Sequence, residues 1–191
     1  AVSWSEEREK HFALLGELAA ISRQLPAVEA RAAGKTLAML PPDVQIYAAI
    51  PNLGPTVNQA VALIEERSRD NAALREWWGS ASAERVKGMI ERFRVLAPMI
   101  GDEMVFLVMK PGMALMMAEV KAGQAEALAA ELTRLMPAGG AYRIQDGMLL
   151  VSDSAAHLPT AAALLGQGAQ TEFAQELGRR YARGVAWMVG A

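Results

Sequence analysis

The sequence contains no cysteine and only two histidines, and these shortages exclude several kinds of site. Without cysteine the chain can form no disulfide bond, thiolate nucleophile, iron–sulfur cluster or cysteine-type zinc site. The two histidines, His11 and His157, lie far apart in the sequence, and no His-Glu-x-x-His pattern occurs. A zinc site built from several histidines is therefore excluded as well. The sequence predicts neither a metal nor a cofactor.

The chain also lacks an excess of charge and a long apolar run. Its 19 basic and 21 acidic residues give a net charge of −2. A nucleic-acid surface needs clustered Lys and Arg, so we expect no nucleic-acid partner. Met104–Val120 is the most apolar stretch, but Lys110-Pro111-Gly112 in its middle predicts a turn between two short strands. We therefore expect membrane contact only through a segment that is missing from this chain.

What the sequence does contain is a recurring unit, in which a short apolar strand is followed by an Ala- and Leu-rich helix. The pattern predicts three such units and a final strand: Ile46–Ile50 before Thr56–Ile64, Met116–Val120 before Gln124–Leu135, Leu149–Val151 before Leu158–Leu165, and the strand Val185–Val189. Thr56 and Gln59 fit a capping box at the start of the first helix. Two more helices are predicted at Ala72–Trp78 and Ala83–Ala97.

Two hairpins predict the arrangement of the strands. One joins Val105–Met109 to Met113–Val120, and the other joins Tyr142–Gln145 to Met148–Ser152 through Asp146-Gly147, a strong two-residue turn signal. In the second hairpin Ile144 faces Leu149 and Tyr142 faces Val151, which leaves Arg143, Gln145 and Met148 on a more polar face. The predicted fold class is α+β, an antiparallel sheet of hairpins with helices packed mainly on one face.

Residues 1–40 are predicted to be a helical segment in front of an α+β domain of residues 41–191, which we expect to continue beyond Ala191. Apolar residues recur in this segment at a spacing of three to four, which gives one narrow seam. Pro26 should break the helix near Leu25, and Pro41-Pro42 should end a second helical piece at Leu40. The seam either forms a stalk or dimer contact or packs against the chain's own sheet.

A possible partner surface consists of this seam and a pair of tryptophans: His11, Leu14, Leu18, Ile21, Trp77 and Trp78. Large aromatic side chains are mostly buried at least in part, so the alternative interpretation of Trp77-Trp78 is core packing.

Three short patterns suggest catalysis or nucleotide binding but lack the context that either would need. Gly34-Lys35-Thr36 resembles the end of a phosphate-binding loop, but Glu29 stands where that loop needs glycine. Ser152-Asp153-Ser154 and His157 supply the residue types of a hydrolase, but they are too close in sequence for a triad, and a helix N-cap at Asp153 or Ser154 is the alternative. The neighbouring carboxylates Asp102-Glu103 point apart and are expected to mark the start of a strand.

The segment Leu40-Pro41-Pro42-Asp43-Val44-Gln45-Ile46-Tyr47 resembles the opening of a bacterial family of domains of unknown function. Gly101-Asp102-Glu103 before a strand, and Leu115–Val120 before the helix at Gln124, also resemble that family. The resemblance covers residues 40–191. It implies an extracytoplasmic domain anchored by an N-terminal membrane segment, in some members similar to anti-sigma factors. It supplies no catalytic residues.

Together these observations predict a non-enzymatic extracytoplasmic domain of a membrane-anchored envelope or signalling protein, which binds a protein partner or ligand. Self-association through the possible partner surface defined above is a further possibility. The alternative is a small hydrolase that uses the Ser, Asp and His side chains of residues 152–157.

Overall fold

A computed structural model describes residues 4–27, 31, 34–136, 140–184 and 188–190, with side chains in the first helix from Arg8 onward. Within these residues the chain forms eight α-helices, a short 3-10 helix and six strands. The helices are α1 (Trp4–Ser22), α2 (Lys35–Ala38), α3 (Gly54–Arg67), α4 (Ala72–Trp78), α5 (Ala81–Leu96), α6 (Ala125–Leu135), α7 (His157–Ala163) and α8 (Glu172–Ala182), with the 3-10 helix at Ala97–Met99. The strands are β1 (Val44–Pro51), β2 (Ile100–Met109), β3 (Met113–Val120), β4 (Ala141–Gln145), β5 (Met148–Ser152) and β6 (Met188–Gly190).

The chain divides into two compact units, which differ from the division expected at residue 40. The helical unit comprises Ala1–Ala27 and Leu53–Val95, and the sheet unit comprises Val28–Asn52 and Leu96–Ala191. The sheet unit is therefore interrupted by an insertion that carries α3, α4 and most of α5. No described helix is both long enough and apolar enough to cross a membrane.

The sheet has six strands in the order β4-β5-β3-β2-β1-β6, and all neighbours are antiparallel. The predicted α+β class is confirmed, as are the strands that precede α3, α6 and α7. Met188–Gly190 forms the edge strand next to β1. This confirms part of the predicted strand Val185–Val189, and residues 185–187 lie outside the described residues.

The sheet has one closed face and one open face. On the closed face, residues such as Tyr47, Leu107 and Met117 are buried under α2, α7 and α8. The open face carries the alternate residues of each strand, because successive side chains point to opposite sides. Here α6 covers only a part of the face, through Leu128 and Leu132.

The hairpin register is confirmed, but the polarity of its second face is not. Tyr142 lies opposite Val151, and Ile144 lies opposite Leu149, as predicted. The other face was expected to be polar, and this is wrong. Met148 and Leu150 are fully buried on the closed face, where α7 packs against β4 and β5.

Two predictions about helix ends are wrong. The N-terminal helix ends at Ser22 rather than near Leu25. The predicted second piece falls partly on residues 28–30 and 32–33, which lie outside the described residues, and its described part is α2, which ends at Ala38. The capping box at Thr56 is absent, because α3 begins two residues earlier with Pro55 in its first turn. Proline fits there because the first-turn N–H groups have no partner inside the helix.

The helical unit is built around the seam of α1. Ile21 is buried with Ile64 of α3 and Leu74 of α4, and Leu14 and Leu18 pack around them. The seam therefore packs against neighbouring helices of its own unit. Arg67 binds Glu17 at 2.9 Å and ties α3 to α1.

Gly168 provides a test of the packing in the sheet unit. Its N–H donates to the carbonyl of Leu40, and an added Cβ would lie 2.1 Å from the carbonyl oxygen of Pro41. We expect Gly168→Ala to lower the free energy of unfolding by about 3 kcal/mol or more, since rigid backbone must move.

The matched control is Gly16→Ala in α1, where nothing lies within 4 Å of the new methyl group. Alanine should stabilise that helix by roughly 1 kcal/mol. Urea unfolding of both variants measures the difference, and equal stabilities would contradict the close contact at Gly168.

Candidate functional site

A row of apolar side chains crosses the open face from one edge of the sheet to the other. Strand register places these residues opposite one another in turn, from β6 through β1, β2, β3 and β5 to β4: Val189, Ala48, Phe106, Met116, Val151 and Tyr142. Directly opposed side chains on one face of an antiparallel sheet are in contact distance. The row is therefore continuous across six strands.

Much of this row is exposed, although its residues are apolar. Val189 is 70% exposed and Phe106 is 47% exposed, and Ile46 beside them is 43% exposed. Residues of the next row, Val108 and Ala114, extend the same surface. Exposed apolar patches of this kind on a folded domain mark interaction sites more often than scattered single residues do.

The patch contains a shallow groove of about 450 Å³. Its lining consists of Ile46, Ala48, Phe106, Leu107, Val108, Ala114, Leu115, Met116, Met136, Gly140, Val151, Ser152 and Asp153. Asp153 is the one charged residue of this lining. The groove is therefore suited to an apolar, uncharged surface rather than to a small ionic substrate.

The groove lies beside α6 on the same side of the sheet. Because α6 packs on Ala118 and Leu149, it leaves the parts of β1, β2 and β3 that carry Ile46 and Phe106 uncovered. Three adjacent strands span about 10 Å, which is also the diameter of a helix with its side chains. The uncovered strip has the width of one more helix.

The closed face contains a buried polar cluster at Glu103 of β2. Glu103 is 5% exposed, and its carboxylate accepts hydrogen bonds from Thr36 of α2 and from Tyr181 of α8, the latter at 2.7 Å. Tyr47 of β1 lies 2.8 Å from Tyr181. Since the Tyr181 proton is donated to Glu103, Tyr47 donates its own proton to Tyr181.

Arg31 completes this cluster. Its Nη2 lies 3.5 Å from a carboxylate oxygen of Glu103, and its Nη1 donates to the carbonyl of Asp102. A buried carboxylate is tolerated only when it is paired and hydrogen-bonded, and Glu103 meets both conditions. Gly34 lies beside it, and an added Cβ there would make a tight contact of 3.2 Å with Oε1 of Glu103.

Burial keeps both tyrosines of the cluster protonated. Burial is the main cause that raises the pKa of Tyr47, and the charge of Glu103 adds to it. Burial also raises the pKa of Tyr181, with a further contribution from its hydrogen bond to Tyr47. The two hydroxyls therefore act as fixed donors. With the carboxylate engaged by Thr36, Tyr181 and Arg31, the cluster is suited to fixing helices on the sheet.

The sequence predicted Asp102-Glu103 as the start of a strand and missed the burial of Glu103. β2 begins earlier, at Ile100. Tyr181 was missed because α8 was not predicted. Its signals are present: Thr171 caps the helix at Ala174, and Phe173, Ala174, Leu177 and Tyr181 recur at helical spacing.

The residues of the possible hydrolase do come together, but with the wrong geometry. Oγ of Ser152 lies 3.3 Å from Nδ1 of His157, and the same Nδ1 lies 3.7 Å from the carboxylate of Asp153. A catalytic histidine uses opposite ring nitrogens for the acid and the nucleophile. Ser152 is also buried and bonded to the carbonyl of Ala114 at 3.2 Å. The arrangement is that of a strand-to-helix turn.

The alternative role predicted for this cluster, an N-cap at Asp153 or Ser154, is also wrong. Ala156 is the N-cap of α7, and no side chain bonds to that helix end. Instead the hydroxyl oxygen of Ser152 accepts a hydrogen bond from the backbone N–H of Ser154.

Gly34-Lys35-Thr36 forms the start of the four-residue helix α2, where Thr36 is buried against Glu103. The tryptophans lie in the helical unit, half-buried, with ring centroids 5.5 Å apart. Nζ of Lys87 stands 4.7 Å above the Trp78 ring. His11 is exposed on α1. In the part of the chain that the structure describes, no three His, Asp or Glu residues group as metal ligands.

Comparisons of the chain with protein-family models, with curated proteins and with solved structures gave no match.

Removing the carboxylate of Glu103 should be strongly destabilising. Glu103→Ala leaves Thr36, Tyr181 and Arg31 buried without their acceptor, so we expect a loss of about 3–5 kcal/mol in the free energy of unfolding. Asp102→Ala is the matched control, because its side chain is exposed, and it should change stability by less than about 0.5 kcal/mol. Denaturant unfolding compares the two, and a small loss at Glu103 would contradict the cluster as described.

The tyrosines predict an alkaline loss of stability. Their pKa values are raised in the folded state, so the folded chain holds protons that the unfolded chain releases above about pH 10. Their stabilisation is complete below that pH. It should fall by about 1.4 kcal/mol per pH unit for each tyrosine as the pH rises further.

Unfolding in urea from about pH 9 to about pH 12 measures this slope. The double variant Tyr47→Phe, Tyr181→Phe should lose most of it, whereas Tyr142→Phe, which lies outside the cluster, should retain it. An equal slope in all three proteins would show that other groups cause the alkaline loss.

Proposed function

We propose that the chain is a non-enzymatic domain that binds a helix of a partner protein on the open face of its sheet. The observation that carries this proposal is the row of exposed apolar side chains from Val189 through Phe106 to Met116. The middle of this row, on β1, β2 and β3, lies in the uncovered strip, which is about one helix wide. The amphipathic helix α6 already occupies the neighbouring strip of the same face, so a partner helix would extend an existing layer.

The binding would depend on a few large side chains. Phe106 and Ile46 project from adjacent strands and are 47% and 43% exposed. A docking helix would present apolar residues at a spacing of three to four, and its polar side would stay in water. The rigid sheet beneath would need little rearrangement, which favours binding because less conformational entropy is lost.

The cellular setting that we propose is the outside of the cytoplasmic membrane, behind an N-terminal anchor, in an envelope or signalling protein similar to anti-sigma factors. This part rests on the family resemblance of residues 40–191. It predicts that the gene encodes an apolar segment of about 20 residues upstream of Ala1. A reporter enzyme that folds only outside the cytoplasm should be active when it is fused to the C-terminus of the full-length protein.

Site-specific photocrosslinking tests the binding surface. Benzoylphenylalanine in place of Phe106, in the full-length protein in its own cells, should give a discrete adduct. Mass spectrometry should map that adduct to an amphipathic helix of another protein. Phe12→benzoylphenylalanine is the matched control, because Phe12 is 66% exposed in the helical unit.

A second substitution decides the specificity of the adduct. Ile46→Asp places a charge in the strip and should abolish the adduct at Phe106 while the protein remains folded. The proposal fails if the crosslinkers at positions 106 and 12 give the same adducts, or if the crosslinker at position 106 gives no adduct. It also fails if Ile46→Asp leaves the adduct at position 106 unchanged.

A further inference from the structure

The helical unit carries a second unpartnered surface, on α5. At about 3.6 residues per turn, its apolar residues form one stripe along the helix: Val86, Met89, Ile90 and Phe93. Met89 is 66% exposed and Val86 is 37% exposed. Ile90 and Phe93 are half-buried. The stripe is therefore only partly used in packing.

Basic residues flank this stripe on both sides. Arg85 and Arg92 lie along one border of the stripe, and Lys87 and Arg94 lie along the other. Glu84 and Glu91 lie on the opposite side of the helix, because each residue advances the helix by about 100°. The helix therefore carries four basic and two acidic residues. This distribution differs from that of the whole chain, which is slightly acidic.

The ion pairs make the two borders unequal. Lys87 binds Glu84 at 2.7 Å, and Arg94 binds Glu91 at 2.8 Å. Among the described residues, no ion pair engages Arg85 or Arg92, and both side chains are exposed. Two guanidinium groups are therefore free to bind an anionic surface beside exposed apolar side chains.

We infer that α5 is a membrane-surface helix, which lies on anionic lipid with Val86 and Met89 inserted among the acyl chains. Its apolar stripe with basic borders and distant acidic residues is the pattern of helices that lie in the interface plane. Long arginine side chains keep the guanidinium at the phosphate level while their methylenes cover apolar surface. A protein partner would not require basic residues on both borders of the stripe.

The inference does not depend on the open sheet face, which belongs to the other unit. Binding of the purified chain to lipid is expected with or without a partner protein. Failure of either proposal would therefore leave the other standing.

Vesicle flotation tests it with the whole chain. The chain should float with vesicles that contain about one-third phosphatidylglycerol and remain unbound with pure phosphatidylcholine, because basic residues are attracted to anionic lipid. Each arginine contributes roughly fivefold to the partition coefficient, so Arg85→Gln with Arg92→Gln should lower it roughly 30-fold. Met89→Asp should abolish binding.

The matched control removes the same charge elsewhere. Arg134→Gln with Arg179→Gln takes two exposed basic residues from α6 and α8, and binding should persist. An equal loss in both double variants would show attraction by net charge alone and overturn the inference. Absence of binding to either vesicle would also overturn it.

A fluorescent label reports the insertion directly, and the cysteine-free sequence allows a single labelled site. A polarity-sensitive dye on Met89→Cys should shift to the blue with anionic vesicles, whereas the dye on Glu91→Cys, on the opposite side of α5, should not. A shift at both positions would contradict this orientation. Light scattering of the labelled chain without lipid should show a monomer. If it shows a dimer, and Met89→Asp dissociates that dimer, the stripe binds a second copy of the chain instead of lipid.

Discussion

The structure of the sheet unit depends on one buried carboxylate, that of Glu103. It binds Thr36 of α2 and Tyr181 of α8, and through Tyr181 it reaches Tyr47 of β1, the strand next to the edge strand β6. A four-residue helix such as α2 has no stability of its own, because nucleation of a helix is unfavourable. Its position must therefore come from tertiary contacts, and the hydrogen bond from Thr36 to Glu103 is one of these. The same carboxylate fixes α8 at the other side of the cluster.

This anchoring explains why the two faces of the sheet differ. On the closed face, α2, α7 and α8 bury a continuous apolar core around Leu107 and Met117. On the open face, α6 covers a part, and the row through Phe106 remains in contact with solvent. An exposed apolar strip costs free energy in the isolated domain, since apolar surface stays in water. That cost can be recovered on binding, which supports our proposal that a partner binds the open face.

The sequence predicted local structure well where short-range signals exist. Asp146-Gly147 defined the second hairpin and its register, and short apolar runs defined the strands that precede α3, α6 and α7. It could not reveal which face α7 covers, so Met148 was assigned to a more polar face. Nor could it reveal the Glu103 cluster, whose members lie far apart in the chain and meet only through the fold. The exposed row across the sheet was hidden for the same reason, because an exposed Phe106 and a buried Leu107 look alike in a strand of apolar residues.

The most direct test of the account compares these two neighbouring residues. In the cysteine-free chain, Phe106→Cys and Leu107→Cys each introduce one thiol, on the open and the closed face respectively. We expect a maleimide to label the purified Phe106→Cys protein rapidly and the Leu107→Cys protein only as fast as that protein unfolds. In intact cells, labelling at position 106 should be slowed by the bound partner helix. Equal labelling of the two purified variants would contradict the open face, and unchanged labelling at position 106 in cells would contradict its role in binding.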